Sequence, residues 1–251
     1  MRSCRFRRGG REAHGVVEGS TVRALSAAPW LGGLPEGPAV PLAEVELLAP
    51  TVPTKVVAVG RNYRAHAAEQ GAEVPKEPLL FLKPSSAVIG PGAAIVLPEA
   101  SKLVHHESEL AAVIGRTLTR ASTAAEARAA IFGWTCLNDV TARDIQRAEG
   151  HFTRAKSFDT FCPIGPVVET ALDPLDLTVS CRVNGEQRQR GSTRDMVYDP
   201  YLLVAFISQV MTLYPGDVVT TGTPEGVGPL KRGDWVEVEV SGVGVLKNPV
   251  V

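Results

Sequence analysis

From Lys55 onward the chain is a succession of short β-prone runs, each closed by turn residues: KVVAVG, LLFL, AIVL, SELAAVIG, PIGPVVE, LTVSCRV, DVVTTG and WVEVEV. Runs this short and this rich in Val, Ile and Leu fit strands rather than packed helices. They predict a mixed, β-rich domain with few helices. Asn184-Gly185, between LTVSCRV and EQRQR, predicts a hairpin, because both turn positions must tolerate positive φ. Helices are expected in STAAEARAAIF, capped by Ser122 or Thr123, and in DPYLLVAFISQVMTL, capped by Asp199 with Pro200 in the first position. A shorter one is expected in NYRAHAAEQ, with Asn62 as its cap.

Ahead of this domain, the stretch from Ala28 to Thr54 is dense in Pro and Gly and reads as a loop-rich module or linker. The boundary is placed near Ala49, with a small domain over residues 1–50 and the main domain over 51–251. A hydrophobic content of 44% is enough for a sizeable core. Lys plus Arg number 26 against 27 Asp plus Glu, so net charge supplies no reason to expect nucleic acid or an anionic membrane as partner. Cys4, Cys136, Cys162 and Cys181 are scattered without paired spacing and are expected to be free thiols. The start, MRSCRFRRGGREAHG, is basic with no apolar run behind it, and no stretch has the length a membrane span needs. A soluble, cytoplasmic protein is expected.

Chemistry is concentrated in a few acidic positions. Glu107 and Glu109 lie two apart in HHESELAAVIG, so on a strand both carboxylates share a face. An exposed edge strand or a bound cation can accommodate that pair, since like charges side by side repel. A second acid, Asp139 after Asn138, ends an otherwise apolar, β-prone stretch. Three carboxylates are hard oxygen ligands that suit Mg²⁺ or Mn²⁺ and admit Ca²⁺. His105 would share the same strand face, either as a support for the acids or as a packed strand residue.

Lys156 sits among Phe152, Phe158 and Phe161, so it either snorkels to solvent or is held near an anion. Three carboxylates, one divalent cation and this ammonium sum to zero charge, which lowers the cost of burying them together. His66 and Glu69, three apart on a helical turn, can meet, and the carboxylate would then fix the imidazole tautomer. The same spacing also suits a solvated helix pair. Gly222, Thr223 and Gly226 follow the DVVTTG run in a loop whose backbone can approach an anion closely or simply make a tight turn.

VGRNYRAHAAE, FLKPSSAVIGPG, HHESELAAVIG, NDVTARDIQ, AKSFDTFCPIGP, VNGEQRQRGSTRDM and TGTPEGVGP, taken in this order, resemble the fumarylacetoacetate hydrolase family from Lys55 to the C-terminus. The resemblance implies the family's mixed β-roll catalytic domain behind a small N-terminal domain, and a homodimer. It implies that Glu107, Glu109 and Asp139 ligate the metal and that Lys156 stands beside the substrate. Gln146 and Thr223, with Gly222 beside it in the loop, take substrate-binding places. His66 and Glu69 match a dyad carried on a mobile lid, here NYRAHAAEQGAEVPKEP.

A 2-oxo acid can chelate such a metal, and the cation then stabilises the enolate formed when a bond β to the carboxylate breaks. The same enolate serves C–C hydrolysis, decarboxylation and keto–enol isomerisation. Within the family the expected branch acts on 2-hydroxyhepta-2,4-diene-1,7-dioate or its tricarboxylate precursor, with acylpyruvate hydrolysis and oxaloacetate decarboxylation as alternatives. A non-catalytic, metal-stabilised β-protein is the alternative of another class.

Overall fold

The computed structural model describes residues 1–121 and 123–251. Its backbone is a large twisted sheet in which the central strands are buried on both faces. Along the sheet lie Cys162–Glu169, Ile131–Asn138, Ser108–Ile114, Val218–Thr220, Val56–Gly60 and Leu79–Lys83. A strand covered on both sides needs no polar face, which is why SELAAVI reads as a continuous run. Leu110, Ala112 and Ile114 enter one apolar cluster with Trp134, Leu203 and Ile207, while Ala111 and Val113 enter another with Leu137, Ile164 and Val218.

A second sheet, in the order Glu186–Ser192, Thr178–Val183, Trp235–Val240, Gly244–Pro249, closes over the first cluster. Its first hairpin turns at Asn184 and Gly185, with φ of +53° and +82°. A small third sheet pairs Val104–His106 with Thr141–Ala142 and Gly228–Pro229, and brings three chemistry-bearing segments together. The helix Pro200–Val210 starts where Asp199 accepts the N–H groups of Tyr201 and Leu202, and it buries Leu203, Val204 and Ile207 on one face.

Three expectations change. The stretch from Ala28 to Thr54 is not a linker: it contains the strands Pro35–Pro41 and Glu46–Leu48. Proline is tolerated in Pro35–Pro41 because that strand lies at the sheet edge, where a missing N–H breaks no ladder. The N-terminal strands are also sewn to the main sheet, since Arg2–Arg8 pairs with Cys162–Glu169 through Arg2 opposite Glu169. AIVL forms no strand; Ile95 makes only an isolated bridge to Val250. Asn62 does not cap the helix Arg64–Glu69, whose N-cap is Tyr63, because the Asn62 amide bonds Tyr198 O, Thr221 O and Tyr198 N. The helix Ala124–Ala130 is capped by Thr123; Ser122 lies outside the described residues. Two further short helices, Arg143–Glu149 and Thr153–Lys156, follow the Asn138-Asp139 pair.

Candidate active site

The chain leaves the small sheet at His106 and joins the large one at Ser108, so Glu107 sits at the junction rather than within a regular strand. Asn138 Oδ1 accepts the Glu107 N–H at 3.0 Å, and the Asp139 N–H donates to Glu107 O at 2.8 Å. This pairing explains the Asn-Asp order: one side chain fixes the junction and the next presents its acid. Glu107, Glu109 and Asp139 each offer a carboxylate oxygen, all within 4.8 Å of one another, and all three are buried. They line a cavity of about 340 Å³ together with His66, Glu69, Gln146, Lys156 and Thr223. His66, Glu69, Lys156, Gln146 and Thr223 are thus gathered around the carboxylates, whereas Gly222 stands behind Glu109.

Three cations meet the three acids. Lys156 does not snorkel: it is buried, its Nζ lies 2.7 Å from Glu107 Oε2 and 2.5 Å from Asp139 Oδ2, and the ring beneath it is Phe81. Lys83, fully buried, lies 2.7 Å from Asp139 Oδ1 as an ion pair and donates to Lys156 O at 2.7 Å. That Asp139 oxygen accepts no aligned hydrogen bond. Arg143 pairs with Glu107 Oε1 through one guanidinium nitrogen and holds Gln146 Oε1 with another. The three carboxylates differ as a result. Burial alone would raise Glu107, but Lys156 and Arg143 hold it well below the usual carboxylate range. Glu109 is pushed well up by burial and by the neighbouring Asp139 and Glu107 charges, and among the described residues the Gly222 N–H alone donates to it, at 2.9 Å. Burial would lower Lys156, but Asp139 and Glu107 raise it.

On the other wall, His66 Nδ1 lies 3.0 Å from Glu69 Oε2. A carboxylate accepts, so Nδ1 carries the proton and Nε2 the lone pair. Glu69 Oε1 accepts the Gly226 N–H at 2.9 Å, which ties the helix to the loop after Thr220. Gly222 is required there: its φ is +88°, and a Cβ would lie 2.8 Å from Asn62 Cβ. The Thr223 hydroxyl donates to Ser108 O at 2.9 Å, so its one proton is not available to a ligand.

Lys83, Arg143 and Gln189 had no place in the sequence reading. Gln189 accepts from Ser108 N at 3.0 Å and donates to Thr223 Oγ1 and Pro224 O at 2.7 Å each, clamping the segment between the two glutamates to the loop. The signal for it was the hairpin, which places EQRQR beside this junction, but no local pattern marks which residue turns inward. His105 is buried and forms no hydrogen bond to the carboxylates; burial, then the Arg143 charge, push its pKa down to about 4.

The donor set fits a hard divalent cation. Among the described residues three buried carboxylate oxygens converge, Asp139 Oδ1 lacks an aligned donor, and Glu109 has no cationic hydrogen-bond partner. Among the described residues no helix is long and apolar enough to cross a membrane, and all four cysteines are free and buried.

Residues 55–251 match the family model described as "Fumarylacetoacetate (FAA) hydrolase C-terminal", and residues 1–50 match "Rv2993c-like, N-terminal". The chain is 45% identical over 226 residues to oxaloacetate tautomerase Fahd2a, mitochondrial, of Rattus norvegicus, covering 85% of this chain and 72% of the relative. It superposes on 2-hydroxyhepta-2,4-diene-1,7-dioate isomerase from Mycobacterium marinum with a TM-score of 0.93 at 43% identity, over 100% of this chain and 98% of the other. The corresponding values for maleylpyruvate hydrolase from Sphingobium sp. SYK-6, in complex with manganese (II) ion and pyruvate, are 0.82, 35%, 100% and 99%.

Proposed function

The chain belongs to the fumarylacetoacetate hydrolase family, and on that premise we propose that it is a divalent-metal enzyme acting through the enolate of a small 2-oxo or 2-hydroxy-dienoic dicarboxylic acid. The preferred activity is of the 2-hydroxyhepta-2,4-diene-1,7-dioate isomerase or 5-oxopent-3-ene-1,2,5-tricarboxylate decarboxylase type. The observation that carries this reading is the convergence of Glu107, Glu109 and Asp139 on a cavity that stays open beside Lys156. A closed structural metal site would have no need of that space. The names of the rat and Mycobacterium marinum relatives both specify dicarboxylic compounds, which supports the substrate class.

Glu107, Glu109 and Asp139 would hold Mg²⁺ or Mn²⁺, which when bound supplies Lewis-acid stabilisation of an enolate. Lys156 and Arg143 add fixed positive charge where the enolate oxygen and the adjacent carboxylate develop negative charge. Gln146, held by Arg143, presents its amide to the same space. His66 Nε2 carries the lone pair that accepts a proton from a substrate carbon, and Glu69 stabilises the imidazolium that results. The protonated ring then returns the proton to the enolate oxygen, which completes a keto–enol tautomerisation, or to another carbon, which completes a double-bond isomerisation. The helix that carries His66 is closed over the cavity by the Glu69 bond to Gly226, and its opening would admit substrate. C–C hydrolysis is the second reading, favoured by the same dyad, since His66 Nε2 is equally placed to deprotonate a water.

A homodimer is part of the proposal, supported by the exposed Leu82 on the edge strand Leu79–Lys83 and by the apolar groove beside it. Cytoplasmic residence also belongs to it, supported by the four free thiols. The test is turnover with Mg²⁺ or Mn²⁺ against oxaloacetate, hydroxymuconate-type diacids and acylpyruvates. Tautomerisation or isomerisation of a diacid is expected to be fastest; inactivity on the whole panel would refute the proposal.

A further inference from the structure

The inner cavity is balanced within the chain: Glu107, Glu109 and Asp139 face Lys83, Arg143 and Lys156. A divalent cation on ionised carboxylates would leave this set at plus two, the charge that a dianion cancels. A simple acylpyruvate carries one carboxylate; a 2-oxo diacid carries two. That balance admits a diacid, and since its 2-oxo carboxylate takes the metal end of the cavity, its distal carboxylate would extend toward the cavity wall, where one residue is placed to meet it.

Arg61 follows the strand Val56–Gly60 and lines both the carboxylate cavity and the groove that adjoins it. It is half-buried at the cavity wall, yet among the described residues its guanidinium has no hydrogen bond or ion pair, unlike Arg143, which lines the same cavity and pairs with Glu107. Its backbone is left-handed, with φ of +57°, a conformation that disfavours any residue with a Cβ. Asn62 imposes that conformation: its amide donates to Tyr198 O at 3.0 Å and Thr221 O at 2.8 Å, and its carbonyl accepts from Val197 N at 2.8 Å. Glycine would serve the turn better, so the reason for arginine lies in its side chain. Arg147, one helical turn beyond Arg143 on Arg143–Glu149, lines the same cavity and is likewise unpaired among the described residues, but it is exposed.

We propose that Arg61, assisted by Arg147 at the mouth, receives the distal carboxylate of a dicarboxylic 2-oxo acid and so sets the preference for diacids over 2-oxo acids with a neutral tail. This rests on the proposed function and names the residue behind its substrate class. A guanidinium that is half-desolvated and already positioned gains a charge-assisted, bidentate pair with the incoming carboxylate.

The test is calorimetric titration of the full chain in excess Mg²⁺ with three probes. Oxalate reports on the inner site alone, and 2-oxoglutarate and 2-oxopentanoate differ only in a terminal carboxylate against a methyl. The wild type is expected to bind 2-oxoglutarate about tenfold or more tightly than 2-oxopentanoate, the strength of one charge-assisted pair. Arg61→Met should abolish that preference, and Arg61→Lys should retain part of it, while oxalate affinity in both variants stays within roughly threefold of wild type. A preference that survives in Arg61→Met, or is missing from the wild type while oxalate binds, overturns the inference and leaves the enolate chemistry standing. Equal loss of oxalate and 2-oxoglutarate in Arg61→Met also overturns it, since the residue would then serve the whole site. Wild-type protein that binds none of the three probes would remove the proposed function and this inference together.

Discussion

Lys83→Met is the substitution whose consequences the structure specifies most fully. Lys83 is fully buried at the end of Leu79–Lys83, with its ammonium 2.7 Å from Asp139 Oδ1 and bonded to Lys156 O at 2.7 Å. Methionine keeps the volume, so little cavity forms. What changes is polar: the Lys156 carbonyl loses its donor, and Asp139 keeps only one of its two ammonium partners. Breaking a buried pair typically costs about 3–5 kcal/mol. Asp139 retains Lys156 and methionine needs no desolvation, so a net loss of about 2–3 kcal/mol is expected. For a chain of this size that is a fall in Tm of roughly 5–10 °C. The sign reverses for metal: one less cation beside Asp139 strengthens the binding of a divalent ion, by about tenfold if roughly 1.4 kcal/mol of repulsion is relieved. Thermal unfolding in EDTA and in excess Mg²⁺ separates the effects. The deficit of Lys83→Met should be large in EDTA and smaller in Mg²⁺, since ligand binding to the folded state adds stability. A Tm within 1 °C of wild type in EDTA, or an equal deficit in both conditions, would refute the reasoning.

Three other outcomes follow from the same geometry. Lys156→Met should bind Mg²⁺ at least as tightly as wild type in calorimetry, since it too removes a cation beside Asp139, while kcat/KM falls by roughly 10²–10³, because the ammonium acts on developing negative charge; wild-type kinetics would show that its ion pairs are purely structural. His66→Ala should depress acylpyruvate hydrolysis more than oxaloacetate decarboxylation, measured side by side, because only hydrolysis needs a water activated by Nε2. For Asp217, burial would raise the carboxyl, but Lys55, Thr54 and the Tyr214 N–H hold it below its usual 3.8. A depressed group stabilises fully above its unfolded pKa and loses that contribution as pH falls through the folded one. The advantage of wild type over Asp217→Asn, about 2–3 kcal/mol, should thus be complete at pH 7 and shrink below about pH 4; denaturant titrations showing a constant gap down to pH 2 would contradict it.

The acids of the site were legible because each carries a local signal. Glu107 and Glu109 are two apart, and Asp139 ends an apolar run that would otherwise continue. Lys83 and Arg143 carried no such signal: their partners lie 73 and 36 residues away, and locally one ends a strand and the other opens a helix. The N-terminal strands were hidden for a different reason. RSCRFRR alternates Cys4 and Phe6 inward with arginines, a period of two, but the density of charge and the Pro-rich stretch behind it obscured the pattern. Arg61 could not have been singled out from sequence, because its significance lies in a backbone angle and an absent partner.

The central claim is that Glu107, Glu109 and Asp139 together hold one divalent ion with positions left for a 2-oxo acid. Crystals grown with Mn²⁺ and oxalate, measured at the manganese absorption edge, test it most directly. The account predicts a single anomalous peak bonded to all three carboxylates, with oxalate completing the coordination beside Lys156. A peak elsewhere, or a manganese ion whose shell is closed by protein atoms alone, would contradict it.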